Sequence, residues 1–203
     1  TNEEFSFQYG ASTLISAPFY AKGKGRLKLL NPKLLLSFND QENDILGSYF
    51  IGTEELNWGN IFSGKKIRSL TESETGLSVS LGIERQVFWE NGRHLELSFA
   101  ASKVDNLTYT PSPTLGLEAK DLNYLGKFSY RTENANTFGA NALLSSKGHL
   151  LQGDLRGNYS NKKLNLGLNY QTIDQAIDTR LSEDLRTMEL ISEYSLSDDF
   201  HVN

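Results

Sequence analysis

The chain has 203 residues, enough for one domain, but only 38% fall in the hydrophobic set, so a large soluble core would be short of material. Its longest purely aliphatic run is Leu34 to Leu36, far below the roughly 18 residues that a membrane-spanning helix needs, which excludes a helical membrane protein. Twenty-five acidic against 20 basic residues leave a formal charge of −5 with no basic run, which argues against nucleic acid as a partner. With no cysteine, disulfides, thiolate chemistry and Cys-based zinc sites are excluded together.

Helical periodicity is nearly absent, and apolar residues recur at every second position, the signature of a pleated strand. The expected fold class is therefore all-β, an antiparallel up-and-down transmembrane β-barrel to which residues 1–203 contribute about ten strands as a single-domain piece of a longer chain. Strands are expected near 4–20, 26–39, 77–89, 93–105, 121–131, 137–145, 149–159, 164–172, 185–196 and from 200 onward, with a short extra strand at 46–51. Phe5, Phe7, Tyr9, Ala11, Thr13 and Ile15 open the apolar stripe; Leu77, Val79, Leu81 and Ile83, then Leu95, Leu97, Phe99 and Ala101, continue it. Pro32 cannot donate to a ladder and is expected to bulge or split the second strand. At Glu90-Asn91-Gly92, a two-residue turn would put the flanking apolar stripes out of phase. A three-residue loop with Gly92 left-handed pairs Val87 with Leu95, Ile83 with Phe99 and Leu81 with Ala101, leaving only Arg85 misplaced among them.

Links alternate in length. Those at 22–25, 90–92, 132–136, 160–163 and 197–199 are short, whereas of the alternate links 40–76, 106–120, 146–148 and 173–184 all but 146–148 are long, as in outer-membrane barrels with short periplasmic turns and long external loops. Three features favour this reading over a soluble sandwich. The strands approach bilayer-crossing length. The face opposite the apolar stripe reads as uncharged-polar and Gly-rich, with Asn123, Ser129, Asn141, Asn158, Asn165 and Asn169. Aromatics gather at strand ends, as Phe19-Tyr20, Phe88-Trp89, Tyr109, Tyr130, Tyr159, Tyr170, Tyr194 and Phe200, where interfacial girdles would lie. A charge at Ile83 is then expected to cost about 2–4 kcal/mol, and one at lumen-facing Ser80 far less. The two outermost strands are expected to pair with strands not among these residues.

Catalytic patterns are thin. His94, His149 and His201 flank turns, and no nucleophile elbow, His-Glu-x-x-His or phosphate loop occurs, so no enzyme, cofactor or catalytic residue is expected. Asp174, Asp178, Glu183 and Asp184 crowd one loop that could offer oxygen ligands to a divalent cation, although a solvated extracellular loop is the simpler account of them. Lys22, Lys24, Arg26 and Lys28 recur at every second residue. If the strand runs on through them, they form a basic rail on one face, suited either to anionic glycolipid head groups or to a rim of charges below the apolar band.

The stretch Glu55-Leu56-Asn57-Trp58-Gly59-Asn60-Ile61-Phe62-Ser63-Gly64-Lys65-Lys66-Ile67, followed by Glu72, Glu74 and Gly76, resembles the Asn-Leu-Phe-Ser loop of the LPS-assembly outer-membrane protein family, LptD. Asn60, Phe62, Lys66, Ile67 and Gly76 would occupy the family's loop positions, and Leu29-Leu30-Asn31-Pro32-Lys33-Leu34 is similar to its Leu-Glu-Pro strand, with Asn31 in place of Glu. Asn158-Tyr159, Leu166 to Tyr170, Asp174 and Ser197-Asp198-Asp199-Phe200 look like its closing strand pairs. The resemblance implies the later part of a barrel in the bacterial outer membrane that inserts lipopolysaccharide into the outer leaflet. It also implies a lipoprotein plug (LptE-like), a periplasmic LPS-transport bridge and outer-membrane lipids as partners. The alternatives are a porin-like or adhesin barrel and an outer-membrane lipid hydrolase.

Overall fold

The computed structural model describes residues 7–42, 58–63, 73–108, 122–174, 184–197 and 200–202. Their strands are β1 (Phe7–Ser16), β2 (Phe19–Gly23), β3 (Arg26–Glu42), β4 (Ser73–Trp89), β5 (His94–Thr108) and β6 (Asn123–Arg131). They continue as β7 (Thr137–Leu144), β8 (Leu150–Ser160), β9 (Leu164–Ile173), β10 (Leu185–Ser197) and β11 (Phe200–Val202). All lie in one antiparallel sheet in which β3 to β11 each sit beside their neighbours in sequence, while β1 and β2 both pair with β3. The all-β, up-and-down class is as the alternation predicts. Among the described residues β1 and β11 are the two edges and do not meet, so the sheet is open. The expected strand at 46–51 lies outside the described residues.

The two prolines behave differently from expectation, for one shared reason. The strand expected over 4–20 breaks between Ser16 and Phe19, where Pro18 has no N–H to give. Pro32, expected to bulge or split its strand, instead runs inside β3 opposite Ile83 of β4. Its carbonyl accepts from Ala17 N–H at 3.2 Å, so its missing N–H points toward the gap left by Pro18 and interrupts no ladder bond.

The β4–β5 hairpin has the register predicted from the three-residue loop, with Val87 opposite Leu95, Arg85 opposite Leu97, Ile83 opposite Phe99 and Leu81 opposite Ala101. Gly92 has φ +83°, a region costly for any side chain. Gly92 N–H donates to Trp89 O and Trp89 N–H to Arg93 O, both at 3.0 Å. Farther along, the register slips between Thr75 and Ser78, where Gly76 has φ +84°. That is a bulge with its extra residue left-handed, a conformation for which glycine is the usual residue.

Directly opposed residues of an antiparallel pair share a face, so these registers sort the whole sheet. One face carries Ile15, Leu36, Phe38, Leu81, Ile83, Phe99, Phe128, Phe138, Leu155, Leu168, Met188 and Leu190, each between 38% and 69% exposed. The opposite face carries Ser37, Ser78, Ser80, Ser98, Ser102 and Asn123, all buried, and exposed Asn141, Asn158, Asn165 and Asn169. Leu14 of β1 and Ile191 of β10 are apolar exceptions on that polar face, both near the sheet edges. A soluble sheet hides its apolar side and wets its polar one; here the arrangement is inverted.

Two expectations about the faces need correction. The polar face is not uncharged, because Lys33–Glu84, Glu96–Lys127 and Asp154–Arg156 lie on it as ion pairs at 2.6, 2.9 and 3.4 Å. Burying one sign alone would be costly, and pairing offsets part of that cost. Among the aromatics, Phe19, Trp89, Tyr130, Tyr159 and Tyr194 do cluster on the apolar face near the short turns. Tyr20 and Phe88, however, share the polar face with Leu29 and Leu27. Phe88 stacks there on His94, with centroids 4.4 Å apart and planes 10° from parallel. Tyr109 and the Phe200 side chain lie outside the described residues.

Candidate functional site

Small or apolar residues interrupt the polar face at Gly82 of β4, Ala100 of β5, Leu125 of β6 and Leu143 of β7. Segment 58–63 rests on them. Ile61 is 0% exposed in a cluster with Ala100, Leu125 and Leu143, and Trp58, Phe62 and Leu151 pack around it. Phe62 lies so close over Gly82 that a Cβ there would overlap its ring tip, which explains glycine in the middle of a strand. Phe62 meets Trp58 edge-on, with centroids 6.0 Å apart, and Lys33 Nζ sits 5.4 Å from the Phe62 centroid. Ser63 N–H donates to Asn60 O at 2.8 Å and closes the turn.

Glu84 fastens the segment to the sheet. Its Oε1 accepts from Lys33 Nζ at 2.6 Å and from Trp58 Nε1 at 3.1 Å, and its Oε2 accepts from Asn31 Nδ2 at 3.4 Å. Asn31 Oδ1 in turn accepts from Ser16 Oγ at 2.7 Å, so the network runs from β1 across β3 and β4 to the segment. Ser80 and Ser102 share a hydrogen bond of 2.9 Å on this face. Ser80 is 0% exposed, which overturns the expectation that a charge would be cheap there. Burying Trp58, Ile61 and Phe62 is worth roughly 5–9 kcal/mol and the Glu84 contacts a further ~2–3, against roughly 6–12 kcal/mol to order six backbone residues. Docking is thus near balance and open to change by single side chains.

A transverse row of groups follows beyond the segment. Lys127, Asn141, Asp154 and Gln171 are directly opposed in turn across β6, β7, β8 and β9. Asn141 Nδ2 donates to both Asp154 oxygens, at 3.0 and 3.1 Å. With Trp58 and Arg156, this row lines a cleft of about 380 Å³.

The residues singled out in the sequence have mixed fates. Asn60 is 9% exposed and Phe62 is at the centre of the docked segment; Gly76 forms the β4 bulge; Lys66 and Ile67 lie outside the described residues. The basic rail does not form on one face. The chain reverses at Lys24-Gly25, with Gly25 at φ +66°, so Lys22 pairs with Leu27 on the polar side while Arg26 and Lys28 pair with Gly23 and Ala21 on the apolar side. In the acidic loop, Asp184 contacts Arg186 at 3.6 Å and Asp174 N–H donates to Leu151 O at 2.8 Å; Asp178 and Glu183 lie outside the described residues. Among the described residues no group of three or more potential ligands could hold a metal ion. His94 Nε2 is buried without a hydrogen-bond partner, and His149 N–H bonds Ser145 Oγ at 3.2 Å inside a turn.

The docked segment was not foreseen, although its landing site left a trace. Leu125 and Leu143 each break the apolar/polar alternation by placing leucine on the polar side, and both are buried against Ile61. No protein-family model matches the chain, and no curated protein matches it significantly.

Proposed function

We propose that this chain forms part of the wall of a bacterial outer-membrane β-barrel that inserts lipopolysaccharide into the outer leaflet. The observation that carries the membrane placement is the inverted sheet, exposed and apolar on one face and hydrogen-bonded, polar and ion-paired on the other. Lipid satisfies the first face and a water-filled lumen the second. Arg85 fits this placement. Four residues from Leu81 along a strand tilted ~45°, it lies roughly 10 Å from the apolar midplane and reaches the interface by extending its side chain. Arg26, opposite Trp89, and Lys28, opposite Val87, lie at the same short-turn end of the apolar face, level with its aromatics.

The lipopolysaccharide assignment rests on the resemblance of residues 55–76 to the LptD loop, whose segment 58–63 lies on the polar face. In this reading the lumen passes the glycan while the acyl chains leave sideways into lipid. An LptE-like lipoprotein plug and a periplasmic bridge are the working partners, and the chain supplies wall and loops without a catalytic site. Depleting the protein and probing surface lipopolysaccharide tests this: loss of surface display is expected, and normal display would overturn it. A second reading, a porin-like diffusion channel, is favoured by the docked segment itself, which would narrow a pore. Solute-driven swelling of vesicles containing the protein, with normal lipopolysaccharide display on depletion, would select that reading.

A further inference from the structure

We infer that the cleft between Trp58 and the row Lys127, Asn141, Asp154 and Gln171 is a saccharide-binding site. At about 380 Å³ it falls within the range of small-molecule sites, about 300–1,000 Å³. Its wall is a straight row of planar or charged side chains on four consecutive strands. With strands ~4.8 Å apart, the row spans about 14 Å, a spacing that presents one polar group to each successive ring of an extended glycan.

The chemistry of the lining selects this class. Sugar hydroxyls both donate and accept, and adjacent pairs of them suit the two-atom edges of carboxamide, carboxylate and guanidinium groups. Asn141 is held in one orientation by its two bonds to Asp154, which leaves its carbonyl oxygen as an acceptor. Arg156, whose side chain is 72% exposed, spends a single contact on Asp154 and keeps donors for a ligand. Trp58 supplies an apolar wall of the kind on which the C–H face of a pyranose packs. Charge excludes the obvious competitors. Lys127 is paired with Glu96 at 2.9 Å and Arg156 with Asp154 at 3.4 Å, so these four groups carry no net positive charge to favour phosphate or nucleic acid.

The inference deepens the proposed function and rests on it only for the source of the glycan. The test uses the full chain refolded in detergent and the lipid-free core oligosaccharide released from lipopolysaccharide by mild acid. Trp58 emission is followed in a Trp89→Phe background, which leaves a single tryptophan. Saturable emission change is expected, with affinity falling about three- to tenfold for Gln171→Ala and for Arg156→Ala and unchanged for Asn165→Ala, on the same face but outside the cleft. No saturable change, or equal weakening by Asn165→Ala, would overturn the site. Oligosaccharide binding together with normal surface lipopolysaccharide on depletion would remove the assembly reading and leave the site standing. Lost display without oligosaccharide binding would do the reverse.

Discussion

Replacing Ile83 with arginine separates a lipid-facing sheet from a water-facing one. Ile83 lies on β4 between Pro32 and Phe99, is 44% exposed, and sits two residues from Leu81 in the apolar stripe. Two residues along a tilted strand amount to roughly 5 Å of depth, close to the midplane, where arginine costs about 2–4 kcal/mol. That is roughly a 30- to 900-fold loss in the folding equilibrium. In water, a side chain this exposed would tolerate the same change within about 0.5 kcal/mol. The polar-face control is Asn169→Arg. Asn169 is exposed between Arg156 and Glu189, whose opposite charges offset, so a cost below about 1 kcal/mol is expected. Ser80 cannot serve as this control, because it is buried and hydrogen-bonded to Ser102. Reversible urea titrations in lipid vesicles measure both variants. Equal costs would refute the assignment of faces.

Other expectations concern the docked segment and the turns. Glu84→Ala leaves Lys33 without its partner and Trp58 without its acceptor; docking weakens by about 1.5–3 kcal/mol, seen as red-shifted Trp58 emission and faster proteolysis within 58–63. Gly82→Ala collides with Phe62 and undocks the segment in the same assays, whereas in a Phe62→Ala background the added methyl costs much less, meeting only Ala100 Cβ at 3.1 Å among the close neighbours that remain; a double-mutant cycle with no coupling would contradict this contact. Gly92→Ala forces a side chain to φ +83° and lowers stability by about 1–2 kcal/mol in a urea titration.

Much of the sheet was legible because a strand with one face wet and the other apolar records its facing at every second residue. The β4–β5 register could be derived from Gly92 and the phase of two stripes alone. Harder to see were features set by contacts between distant segments. Pro32 reads as a strand breaker until the break in the neighbouring strand at Ala17-Pro18 is known to lie beside it. Glu84 reads as a solvated charge until Lys33, Asn31 and Trp58 converge on it. Lys22 to Lys28 read as a rail only while Lys24-Gly25 is treated as strand. Docking of 58–63 depends on Gly82 and Ala100 leaving room and on Leu125 and Leu143 on the polar side, signals that mean little separately.

A lipid-facing wall requires that the odd-numbered stripe of β4 touch lipid. The chain has no cysteine, so single cysteines at each position from 78 to 84 can carry a spin label in bilayers without background. Collision with membrane-dissolved oxygen should be high at 79, 81 and 83 and low at 78, 80, 82 and 84, with a water-soluble nickel complex failing to reach the odd set. Free access of the nickel complex to 79, 81 and 83, or the absence of a two-residue period, would contradict a lipid-facing wall.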